Sequence, residues 1–229
     1  MEIKQLFDPA TSTYTYLLWN VESGQAALID SVKEQVERDE KLIEELGLKL
    51  VWLLETHIHA DHITGSGDLR QHSQNSAKVA VHRASGSQCA DRLLEDGDEI
   101  FLGDETIKVL YTPGHTDTDI SYLINGAVFT GDALLIGGSG RTDFQAGDAG
   151  KSYDSITGKL FTLNGETKVY PGHDYKSQTV STIAEEKESN PRIGGGRSRE
   201  EYIAIMNELK LAKPARIDEA VPGNMACGL

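Results

Sequence analysis

With 229 residues and 38% hydrophobic content, the chain can bury one substantial core, and a single domain over 1–229 is expected. Its formal net charge of −14 repels phosphate backbones and anionic lipid headgroups, which argues against nucleic-acid and membrane partners and obliges an anionic ligand to find a local basic pocket. No leader-like segment opens the sequence and no apolar run approaches the roughly 20 residues that span a bilayer, so a soluble, cytoplasmic protein is expected.

Residues 2–8, 13–19 and 26–30 ("EIKQLFD", "TYTYLLW", "AALID") read as strands, each short and bounded by Pro, Ser, Asn or Gly. The period changes in "KEQVERDEKLIEELG": Val36, Leu42, Ile43 and Leu46 share one helical face, charges fill the other, and Gly47 stands where a helix stops. "LKLVWLLET" is then nearly continuous in apolar residues, as in a strand covered on both faces, and His57 begins just beyond it. "KVAVHR", "EIFLG", "TIKVLYT", "ISYLI", "AVFTG" and "KVYPG" are further strands, interleaved with helices near 64–75, 152–162, 177–188 and 198–211. Trp19 and Trp52 read as core residues on strands, and His72 and His82 as surface or packing histidines. "GGSGR" lacks the lysine and spacing of a phosphate loop and reads as a tight turn; "IGGGR" at 193–197 is a loop between helices. Cys89 and Cys227, far apart, read as small packing residues in a reducing compartment and not as a disulfide framework.

The chemistry concentrates in "ETHIHADHITGSG", where His57, His59 and His62 surround Asp61. Three later strands run into glycine turns that each deliver a ligand-type side chain: "VLYTPGH" to His115, "VFTGD" to Asp132 and "VYPGH" to His173. One such residue is more often a turn former or a satisfied hydrogen-bond partner. Their recurrence at strand ends, where loops of a layered fold converge, points to a metal site. Imidazole and carboxylate donors without thiolate suit zinc, ferrous iron or manganese. If all the donors bind, the site is dinuclear and hydrolytic; if two histidines and one carboxylate bind, open positions face substrate and dioxygen.

The order H-x-H-x-D-H, PGH, TGD, PGH resembles the metallo-β-lactamase superfamily. The resemblance implies an α/β fold, the αββα four-layer sandwich with two mixed β-sheets. "TGDALLIGGSGRTDFQAGD", "YPGHDYKSQTVSTIAEEKESNPRI" and "IDEAVPGNMACGL" are similar more narrowly to the persulfide dioxygenases, which oxidise glutathione persulfide with O2 and water to sulfite and glutathione. That resemblance implies one Fe(II) per chain held by His57, His115 and Asp132, with His59, Asp61, His62 and His173 close by. Glutathione would meet Arg141, Arg192 and Tyr175, the tyrosine also lying near the bound sulfur. Several relatives carry cysteine at the position of Ser139. A glyoxalase II-type thioester hydrolase is the alternative, weakened by the short stretch after Pro191; a metallo-nuclease suffers from the acidic surface, and a sulfur-responsive binding protein would turn nothing over. A homodimer is the expected assembly.

Overall fold

The structure, a computed structural model, describes residues 1–73 and 76–229. Alternation along the strands decides its layering. In β2 (Thr13–Trp19), Tyr14, Tyr16 and Leu18 point to one side and Leu17 to the other; in β3 (Gln25–Ile29), Ala27 and Ile29 oppose Ala26 and Leu28. β10 (Ala127–Gly131) repeats this, with Ala127 and Phe129 opposing Val128. Strands apolar on both faces need cover on both, and a layered sandwich supplies it.

Among the described residues the strands form two six-stranded sheets. The first runs β1 (Glu2–Asp8), β2, β3, β4 (Lys49–Leu54), β5 (Lys78–His82), β6 (Arg92–Leu94), antiparallel up to β3 and parallel from β3 onward. The second runs β7 (Glu99–Leu102), β8 (Glu105–Tyr111), β9 (Ile120–Ile124), β10, β11 (Lys168–Pro171), β12 (Ser181–Thr182), and within it only β10 and β11 pair in parallel. α1 (Val36–Glu45) and α2 (Ser66–His72) cover the outer face of the first sheet through Val36, Ile43 and Leu69. α3 (Ala149–Gly158), α4 (Ile183–Ser189) and α5 (Arg199–Glu208) cover the second through Ile156, Ile183, Tyr202 and Met206. The αββα sandwich with two mixed sheets is therefore the fold.

The local signals fall close to where the sequence places them. Thr182 with Glu185 and Ser198 with Glu201 form reciprocal capping boxes that start α4 and α5, and Asp148 caps α3 by accepting from Lys151 N. α1 ends before Gly47, but its polar face is not uniformly wet: Asp39 is buried beside Arg38, and burial pushes its carboxyl up to about 6. Leu46, expected on the apolar face, is exposed. The helix expected near 64–75 spans Ser66–His72, and positions 74–75 lie outside the described residues. A closing helix, α6 (Ile217–Met225), carries Pro222 inside it, a helix breaker that hides the pattern from a periodicity reading.

Cys89 and Cys227 require a correction, because they form a disulfide across 138 residues of sequence. The segment after α6 folds back onto the first sheet, where Cys227 is buried, and sets the two Cα atoms 6.0 Å apart. Nothing in a separation of that length signals the pairing.

The aromatic centre between the sheets tests the layering. Phe129 is fully buried, edge-on to Tyr16 at 4.9 Å and stacked on Tyr170 at 5.1 Å. Phe129→Ala is expected to lower the unfolding free energy by about 3–5 kcal/mol in a urea titration; a loss under about 1 kcal/mol would place the core elsewhere.

Candidate metal centre

Four strand ends open at one rim of the sandwich: β4 into residues 55–64, β8 into His115, β10 into Asp132 and β11 into His173. Because β10 and β11 are parallel neighbours, their ends deliver Asp132 and His173 side by side, and Asp132 Oδ1 lies 2.6 Å from His173 Nδ1. Gly131 is needed at this turn: it has φ +50°, and a Cβ there would lie 2.4 Å from Thr56 Oγ1. The TGD glycine therefore lets the β10 turn press against the β4 loop.

Hydrogen bonds around the imidazoles fix which nitrogens are free. Thr56 donates its hydroxyl to Asp30 Oδ2 at 2.8 Å, so it is left to accept from His57 Nδ1 at 3.0 Å, and His57 Nε2 keeps its lone pair. His115 Nδ1 donates to the Arg141 carbonyl at 2.7 Å, which directs Nε2 toward Asp132 Oδ2 at 3.7 Å. Burial, reinforced by the neighbouring His59 and His115, holds the His57 pKa well below its ordinary value, so the ring is a neutral donor. Burial would raise Asp132, but His173 and then His115 and His57 hold its carboxyl below the usual range. His57, His115 and Asp132 each present a ligand atom within 4.8 Å of the others. Two imidazoles and one carboxylate without thiolate form the donor set of a single non-haem iron, so the residues fit that ion.

The remaining donors sort into two groups. Asp61 Oδ2 lies 2.8 Å from His62 Nδ1 and 3.1 Å from His173 Nε2, and Thr13 Oγ1 donates to it at 3.2 Å. Against the pull of burial, the carboxylates of Asp132 and Asp61 hold the His173 pKa well above its ordinary value, and the ring bridges the two of them. His59 turns away toward the fold interior, with Nε2 at 3.2 Å from Asp30 and 3.5 Å from Glu55. Buried atoms without a hydrogen-bond partner gather here, among them His62 Nε2, His59 Nδ1 and Glu55 Oε2.

A cavity of about 540 Å³ opens onto His115, Asp132 and His173 and is walled by Tyr175, Arg141 and Arg192. Arg192 is half-buried and donates to the Ser139 carbonyl; burial lowers its pKa, and among the described residues it has no acidic partner. Arg141 is engaged otherwise, with Nε and Nη2 on the Asp143 carboxylate at 2.6 and 2.8 Å and Nη1 on the Ala212 carbonyl at 2.6 Å. Tyr175 stacks parallel to His173 with ring centres 6.1 Å apart and is largely exposed. Ser139 is buried with its hydroxyl 2.9 Å from Tyr202 OH, so that side chain serves the packing of α5 behind the cavity. His72 pairs with Glu40 and His82 stacks on Tyr111, both apart from the site. A reading of donors alone passes over Thr13, Asp30, Glu55 and Thr56, because residues that orient ligands carry no spacing signal.

Residues 8–173 match the family model described as the metallo-beta-lactamase superfamily. The chain is 49% identical over 229 residues to the human protein named persulfide dioxygenase ETHE1, mitochondrial, covering 99% of this chain and 89% of that one; the bovine protein of the same name is 48% identical with the same coverage. The crystal structure of ETHE1 from Myxococcus xanthus superposes with a TM-score of 0.97 at 55% identity, covering 100% of both chains. These matches overturn the cytoplasmic expectation, since the human, bovine and mouse relatives, at 48–49% identity, are mitochondrial by name. An acidic, water-soluble composition is common to both compartments and does not separate them.

Asp132 is the one carboxylate in the three-donor set, so Asp132→Asn is expected to weaken iron retention at least about tenfold, a loss that even outer hydrogen-bond partners can produce. Iron per chain after anaerobic reconstitution and desalting measures this, and wild-type iron content in the variant would mean the ion sits elsewhere.

Proposed function

The chain belongs to the metallo-beta-lactamase superfamily, and within it we infer a persulfide dioxygenase that oxidises glutathione persulfide with dioxygen and water to sulfite and glutathione. The observation that carries the reading is the coincidence of two facts. Identity near one half to proteins of that name runs along the whole chain, and two histidines and one aspartate converge at the rim. The glyoxalase II alternative falls on the same ground.

His57, His115 and Asp132 would hold one ferrous ion, which when bound supplies the one-electron redox steps that triplet dioxygen needs to react with a closed-shell persulfide. Everything else rests on the side chains. The Thr56 hydroxyl and the Arg141 carbonyl keep His57 and His115 in the tautomer that presents Nε2. Asp61 and His173 border the cavity, backed by His62 and Thr13 through hydrogen bonds to Asp61, which suits the group to hold and orient the water that releases sulfite. Glutathione brings two carboxylates, and Arg192, with no acidic partner among the described residues, is the guanidinium suited to one of them. Tyr175 places a phenol beside His173 at the mouth. Arg141 acts by holding the Leu211 and Ala212 carbonyls, so that residues 211–214 form a wall of the cavity. A two-fold homodimer remains the assembly we propose, on the general prevalence of that symmetry.

Iron-replete protein is expected to consume oxygen when glutathione persulfide is added, with about one iron per chain; no uptake would sink the reading. Arg192→Ala is expected to raise KM roughly tenfold or more, the value of a charge-assisted hydrogen bond, with kcat little changed. An unchanged KM would remove Arg192 from the substrate's path.

A further inference from the structure

We propose that Asn224, carried by α6 near the end of the chain, is a positioning residue for the metal-bearing loop. The proposal rests on the reading of that loop as the holder of a metal ion.

Residues 57–63 belong to no helix or strand, so their backbone groups must find partners outside a regular ladder. The upstream part is held by two side chains: Ile58 N donates to Thr118 Oγ1 at 3.1 Å and Gln145 Nε2 donates to the Ile58 carbonyl at 2.7 Å. The downstream part is held by one side chain, besides the Lys33 backbone N–H that donates to the Ile63 carbonyl at 2.8 Å. Asn224 Nδ2 donates one hydrogen to the His59 carbonyl and the other to the His62 carbonyl, each at 2.9 Å, and Asn224 Oδ1 accepts from Thr64 N at 2.8 Å. A single buried amide thus bridges three positions that straddle Asp61 and His62. Two carbonyls demand donors and one amide demands an acceptor, so the orientation of the side chain is set by its partners. A carboxylate in its place would keep the acceptor and lose both donors, and an apolar side chain would leave three buried backbone groups unpaired.

The segment around Asn224 is built to hold it there. Gly67 N, in the first turn of α2, donates to the Cys227 carbonyl at 2.8 Å, and Lys33 Nζ donates to the Gly228 carbonyl. Gly228 passes so close to the loop that a Cβ on it would lie 2.0 Å from the Thr64 carbonyl oxygen. The Cys89 disulfide secures the same turn to the first sheet. A segment fixed at so many points, whose side-chain amide bonds to the ligand loop, acts on the geometry of the loop.

The test uses full-length protein stripped of metal and titrated with Co(II) against a competing chelator, with circular dichroism confirming that each variant is folded. Asn224→Ala and the isosteric Asn224→Asp are expected to lower Co(II) affinity about tenfold or more, as loss of outer support typically does, and to shift the visible d–d bands that report ligand geometry. Folded variants with wild-type affinity and spectrum would overturn the proposal and leave Asn224 a packing residue. A measurement on the unsubstituted protein covers the case in which neither variant folds. In hydrogen exchange, Co(II) binding is expected to protect peptides spanning 57–64 and 217–229 together, and protection confined to the first would overturn it. Wild-type protein that takes up no Co(II) would instead sink the metal reading itself.

Discussion

The short hydrogen bond between Asp132 and His173 is the contact on which the site depends. It exists because β10 and β11 are the parallel neighbours of the second sheet, so their ends point the same way and put the two side chains in register. One carboxylate oxygen is taken by His173 and the other faces His115, which spreads the influence of Asp132 over both sides of the rim. From His173 the bonding continues to Asp61, His62 and Thr13, and so joins the second sheet to the first. The two sheets of the sandwich are thus tied at their reactive edge by charge and at their centre by the Tyr16, Phe129 and Tyr170 rings.

Electrostatics explains a division of labour between two arginines. In a chain of net charge −14, a free cation near a negatively charged substrate is scarce, and among the described residues half of the lysines and arginines are paired with acids. Arg141 is claimed by Asp143 and by the carbonyls of Leu211 and Ala212, whereas Arg192 lines the cavity with its guanidinium on the Ser139 carbonyl and, among the described residues, no acidic partner. The difference is invisible in sequence, where both are loop arginines.

Legibility in the sequence follows the range of the interaction. The strands and the stop of α1 are local, and each could be read from a few neighbouring residues, whereas the capping boxes of α4 and α5, equally local, were not singled out. His57, His115, Asp132 and His173 were legible because a strand-end signature marks each one, and what they share is a place in the layering. Asp30, Glu55 and Thr56 lie inside readable strand-end segments, yet their roles depend on which imidazole they face. Cys89 with Cys227, and Asn224 with His59, are contacts across most of the chain, and α6 hides behind Pro222. Burial of Asp39 in an otherwise amphipathic helix was equally beyond a pattern of charges.

The route of the chain through the site bears on its birth. A ribosome extends a polypeptide from the amino end at roughly 5–20 residues per second. His57 is therefore made well before His173, and Asn224 is added later still. While synthesis proceeds, the loop bearing the first histidine is without the amide that bridges its carbonyls, and the tail that anchors that amide has yet to emerge. The loop is accordingly braced only after synthesis has passed Asn224, 165 residues beyond the His59 carbonyl that its amide holds.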